Sequence, residues 1–71
     1  MKKIYYTVNQ GFDITEKLDG TIHSQVYIIE DNELKFLCNV HMSLYDNHEN
    51  HVRKHIEANN LCNEEFELKL L

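Results

Sequence analysis

An α+β fold, a small antiparallel β-sheet of four or five strands with one α-helix packed on one face, is predicted by three features of the chain. The first is an apolar-rich run from Thr21 to Met42, broken once by Glu30-Asp31-Asn32-Glu33. In its second half Leu34, Phe36, Cys38, Val40 and Met42 alternate with Glu33, Lys35, Asn39 and His41. A half-buried strand produces this period of two, because successive side chains point to opposite faces. The second feature is a helical stripe opening near Asp46, and the third is a renewed alternation from Glu64 to Leu70. The order is β-(β)-β-β-α-β in one domain over residues 1–71, the bracketed strand being the weakest in pattern.

The first strand is read as Lys3 to Asn9, with Ile4, Tyr6 and Val8 on one face and Tyr5 and Thr7 on the other. Beyond Asn9-Gln10-Gly11, residues Ile14 to Leu18 read as a strand or extended segment entering an Asp19-Gly20 turn, a common hairpin dipeptide. Asp13-Ile14-Thr15-Glu16 also has the spacing of a helix capping box, a competing reading of the same residues.

Thr21–Glu30 and Glu33–Met42 form a hairpin whose register has two solutions. A two-residue Asp31-Asn32 loop sets Ile28 opposite Lys35 and His23 opposite Val40, mixing polar with apolar. A three-residue loop sets Ile28 against Phe36, Val26 against Cys38 and Ile22 against Met42. A slip of one residue exchanges core for solvent, so the register that segregates polarity is expected. The opposite face then carries His23 beside His41, Tyr27 beside Leu37 and Gln25 beside Asn39.

Asp46 and Asn47 are good N-caps, Glu49 suits a first turn and Asn59-Asn60 suits an exit, which predicts a helix from Asn47 or His48 to about Asn59. At about 100° per residue, Tyr45, Val52 and Ile56 share one stripe. The last strand, Glu64–Leu70, turns Phe66, Leu68 and Leu70 inward.

A chain of 71 residues buries only roughly 60 % of the surface its unfolded form exposes, so modest stability is expected. Hydrophobic residues make up 42 %, which opposes disorder. Twelve acids against seven bases give a net charge of −5. That balance opposes direct nucleic-acid binding, which needs clustered cations to displace counterions. The chain has no apolar run of about 18 residues, so no membrane-spanning helix is expected. Its basic-then-apolar start turns polar by Asn9, too soon for a secretory signal. A cytoplasmic protein with Cys38 and Cys62 reduced is the expectation.

Four groups are candidates for chemistry. His48, His51 and His55 project from one side of the helix within about 60° of its circumference, which suits a borderline metal such as zinc. The run is not the H-E-x-x-H pattern, and the competing reading has His48 and His55 packing at the border of the core. Cys38 and His41 point to opposite faces of a strand, so they cannot act together, and Cys38 reads as a small core residue. Cys62 follows a helix C-terminus, the wrong pole for an activated thiolate. Glu30, Asp31 and Glu33 cluster at the hairpin tip, either as solvated turn charge or as an acidic protrusion that docks on a basic surface. Finally, Tyr5, Tyr27, Ile29, Leu37 and Leu71 fall on the face away from the helix, more apolar surface than a solvated face requires.

These features predict a non-enzymatic protein-interaction module without a cofactor, contacting a protein partner through Glu30, Asp31, Glu33, Tyr5, Tyr27, Ile29 and Leu37. A small acidic inhibitor is the expected form, homodimeric in one version. By analogy of size and charge it resembles mobile-element or phage inhibitors of nucleic-acid-processing defence enzymes, whose partner surfaces are basic. The rival reading is a zinc-binding protein using His48, His51 and His55. A third is a small enzyme whose site is assembled at a dimer seam.

Overall fold

The computed structural model describes the backbone of residues 1–12 and 18–71, and the side chains of 1–11 and 20–71. Among the described residues five strands and one helix follow in the order β1 (Lys2–Tyr6), β2 (Asn9–Phe12), β3 (Leu18–Glu30), β4 (Glu33–Ser43), α1 (His48–Ala58) and β5 (Phe66–Leu70). The α+β class and the element order match the expectation. The sheet, however, is mixed: β5 runs parallel to β1, with Leu68 opposite Ile4, while every other pairing is antiparallel.

β3 is the spine. One of its edges pairs with β4, the other with β1 and then β2 end to end. β1 and β2 share one unbroken register against it, Ile4 opposite Ile28, Tyr6 opposite Val26 and Asn9 opposite His23. They are therefore a single strand interrupted at Thr7-Val8, rather than one ending at Asn9. The interruption has a local cause. Thr7 N–H donates to the Gln25 carbonyl at 3.0 Å, but Gln25 N–H donates to the Thr7 hydroxyl instead of its carbonyl, also at 3.0 Å.

Asp19-Gly20 is not a hairpin turn. Between Ile22 and Leu18, β3 places more residues than β2 places between Gln10 and Phe12, and Gly20 absorbs the irregularity with φ +80°. The expected segment Ile14–Leu18 and the capping-box reading fall mostly on residues 13–17, outside the described ones.

The β3–β4 hairpin contains both candidate registers. At the tip Asp31 (φ 52°) and Asn32 (φ 64°) form a two-residue turn, pairing Glu30 with Glu33, Ile29 with Leu34, Ile28 with Lys35 and Tyr27 with Phe36. Two successive positive φ angles define the turn that matches strand twist, and Asp and Asn tolerate them. A bulge at Leu37 then shifts the register, so Val26 faces Cys38, His23 faces His41 and Ile22 faces Met42. The expected pairing of Ile28 with Phe36 is thus replaced, and Tyr27 lies beside Phe36 rather than Leu37.

The helix is well capped. The Asn47 side chain accepts from Asn50 N–H at 3.0 Å. At the far end Asn60 takes φ 52°, its N–H donates to Glu57 O at 3.2 Å and Leu61 N–H donates to Ile56 O at 3.0 Å. This is a Schellman closure with Asn in the position glycine usually takes. Val52 and Ile56 are fully buried and pack on Ile4, Tyr6, Ile22, Val26, Ile28, Val40, Met42 and Leu68. Tyr45 does not join that stripe. It lies in the β4–α1 turn, 92 % exposed, because the helix begins only at His48. Leu70 is likewise 62 % exposed at the end of β5 rather than inward.

Candidate functional site

One helix covers one side of the sheet, and register decides what the other side shows. On the helix-free face the residues fall into cross-strand rows. Nearest the hairpin tip, Leu34 lies beside Ile29, which is followed by Lys3 and Glu67. The next row runs Phe36, Tyr27, Tyr5, Lys69. Leu34 is 47 % and Phe36 57 % exposed, while Tyr5, Tyr27 and Ile29 are half-buried. Tyr27 and Phe36 meet edge to face with ring centres 5.8 Å apart, a favourable arrangement for aromatic quadrupoles.

Leu37 is the correction here. As the bulge residue it packs, with Cys38, against the core cluster rather than on this face. Phe36 and Leu34 occupy the surface instead. The uninterrupted apolar sequence Phe36-Leu37-Cys38 was the available signal, since strict alternation cannot place three apolar residues in succession. Leu71 is exposed just beyond β5, its N–H bonded to Tyr6 O at 2.8 Å.

Farther from the tip the same face becomes polar. Thr7, Asn9 and Gln25 form a small network: Asn9 Nδ2 donates to Gln25 Oε1 at 2.7 Å, and the Thr7 hydroxyl donates to the same oxygen at 2.8 Å. Beyond it, His23 and His41 lie side by side with ring centres 4.6 Å apart.

The acids of the tip are arranged around its end. Glu30 and Glu33 form the last pair of the ladder, and Asp31 stands exposed in the turn. Glu30 lies 3.9 Å from Lys35 Nζ across exposed surface, a contact of little energetic weight. Glu30 shares strand parity with the buried Ile28, so it lies on the helix side of the tip, whereas Leu34 and Phe36 lie on the other. The acids and the exposed apolar residues therefore lie on opposite faces of the β3–β4 hairpin end. The molecule measures 42 × 22 × 17 Å, and its long axis is close to the length of a 13-residue strand at about 3.3 Å per residue.

The helix histidines do not converge. His51 Nδ1 lies 3.6 Å from Asp46 Oδ2, and His48 Nε2 is buried without a hydrogen-bond partner. Among the described residues no three His, Cys, Asp or Glu side chains form a group able to hold a metal ion.

Among the described residues two adjoining open grooves measure about 490 and 260 Å³. Both run along the α1–β5 connection and share Cys62, Asn63 and Glu64. In the larger one the Arg53 guanidinium sits 4.8 Å from the centre of the Phe66 ring. The Cys62 thiol donates to the Glu64 carbonyl at 3.4 Å, and no imidazole lines either groove. Burial pushes the Cys38 thiol up from its ordinary range, the opposite of activation. Tyr6 is pushed up too, first by burial and then by the Glu49 carboxylate.

Among the described residues no helix is long and apolar enough to cross a membrane. No protein-family model matches the chain, no curated protein matches it, and no solved structure matches its fold.

Proposed function

We propose that this protein is a non-enzymatic binding module that inserts its β3–β4 hairpin tip into a cleft of a larger protein. The observation that carries the reading is the two-sided tip, with exposed Leu34 and Phe36 on one side and the Glu30, Asp31, Glu33 cluster around the other. Apolar anchors rimmed by charge are the anatomy of a protein interface. With a net charge of −5, the complementary cleft has one apolar wall and one basic wall. A nucleic-acid-binding groove has that chemistry, so occupancy by this tip acts as inhibition by competition with a phosphate backbone. Inhibition of a nucleic-acid-processing enzyme inside the cytoplasm, as phage or mobile-element proteins practise it, is the setting this reading favours. Homodimerisation through the helix-free face is the competing use of Leu34 and Phe36.

Affinity capture from the native host, followed by binding kinetics on the recovered partner, tests the proposal. Reversal of Glu30, Asp31 and Glu33 to Lys is expected to slow association about tenfold or more at low salt and to flatten its salt dependence. Phe36→Ala is expected to act on dissociation, costing about 2 kcal/mol or roughly 30-fold in affinity, the scale of an aromatic anchor. Unchanged kinetics in both variants would overturn the tip as the docking element. So would light scattering that shows a stable dimer dissociated by Phe36→Asp, because the apolar wall would then be occupied by a second copy.

A further inference from the structure

The polar half of the helix-free face carries a feature that the tip does not use. His23 and His41 are directly opposed across the antiparallel β3–β4 ladder, with ring centres 4.6 Å apart and ring planes at 74°. Their backbones are anchored by buried neighbours on the other face, Ile22 and Ser24 on β3 and Val40 and Met42 on β4. The two Cα positions are thus fixed relative to one another before any ligand arrives.

A cation bonded to two imidazole nitrogens at about 2.0–2.1 Å in a tetrahedral arrangement holds those nitrogens about 3.3 Å apart. The two rings are neighbours, 4.6 Å centre to centre, so both imidazoles stand within reach of one ion placed over the sheet. His23 Nε2 lies 3.2 Å from Thr21 Oγ1. With Nε2–H donating to that hydroxyl, Nδ1 keeps its lone pair, and the second hydrogen bond orients the ring as outer partners of ligating histidines do. Asn9 lies opposite His23 on the other edge of β3, and the flanking rows hold the Thr21–Ser43 pair on one side and Asn39, Gln25 and Thr7 on the other. They bring no lysine or arginine to repel a cation, and the chain as a whole is acidic.

We infer that His23 and His41 form a two-nitrogen site for a borderline divalent cation such as Zn²⁺, with the remaining coordination positions open to water or to a donor from another molecule. Imidazole suits zinc, nickel and copper better than the hard oxygen-seeking cations. This differs from a helix-histidine site, and it stands independently of the docking role given to the tip.

The test is a titration of the intact chain with ZnCl₂, followed by calorimetry and by the histidine ring signals in NMR. The His23 and His41 signals are expected to respond first. His23→Gln and His41→Gln are each expected to weaken binding by at least about tenfold, with the circular dichroism spectrum unchanged. The double variant His51→Gln/His55→Gln is expected to bind as the parent does. Binding that survives both sheet variants, binding lost in the helix variant, or no response at millimolar Zn²⁺ would each overturn the assignment. A Zn²⁺-dependent rise in mass by light scattering, lost in His41→Gln, would show the open positions filled by a second copy and would support the site.

Discussion

Ser24→Ala is expected to make the protein more stable. Ser24 lies in the middle of β3, opposite Val40 and 1 % exposed, and its hydroxyl has no hydrogen-bond partner. A hydroxyl taken out of water without a replacement bond costs about 1–3 kcal/mol. Alanine removes that cost and leaves a void of about 10–15 Å³, worth roughly 0.3 kcal/mol at about 24 cal/mol per Å³. The net gain is about 1 kcal/mol, which raises the melting temperature of a domain this size by about 4–8 °C. Urea unfolding monitored by circular dichroism measures it, with an unchanged dependence on denaturant showing that the surface exposed on unfolding is the same. A melting temperature equal to or below that of the parent would refute the reasoning, since it is what loss of a satisfied hydroxyl produces.

Two further outcomes follow from local geometry and titration. Asn60→Gly is expected to stabilise by about 0.5 kcal/mol, because Asn60 holds φ 52° where a side chain is strained and glycine is not. Asn60→Val is expected to lose 1 kcal/mol or more in the same urea assay, by about the strain of a left-handed residue. Stability is also expected to fall as pH rises past 9.0, the ordinary thiol value. Burial raises the folded Cys38 above that value, so the unfolded chain releases its proton first and is favoured through that window. Cys38→Ala should flatten the decline that begins there, while Tyr6, raised from 10.0, continues it at higher pH. An equal decline in the alanine variant would assign the effect elsewhere.

The features set by neighbours in the chain were legible in the sequence. Asn47 as a cap, Val52 and Ile56 as the buried stripe, and the opposition of His23 to His41 all follow from spacing and from separating polar from apolar. Features set by single insertions or distant partners were not. The choice between two hairpin registers assumed one register throughout, whereas the bulge at Leu37 lets the tip keep the short turn and the body keep the segregated pairing. The Thr7 hydroxyl that splits the first strand, and the parallel seat of β5 beside β1, depend on residues 18 and more than 60 positions away. Of the site residues, Tyr5, Tyr27 and Ile29 lie on the expected face, Leu37 does not, and Phe36 was missed because the wrong register hid it in the core.

The bulge has one more effect, on the outer rim of the sheet. β4 pairs only with β3 among the described residues, leaving a rim of 11 residues that a foreign strand could zip onto. The extra residue at Leu37 breaks the even spacing of donors and acceptors along that rim into two short, mutually offset stretches. A strand extending the sheet along β4 would match one stretch and miss the other, so this rim is guarded against edge-to-edge pairing in a chain that lacks proline.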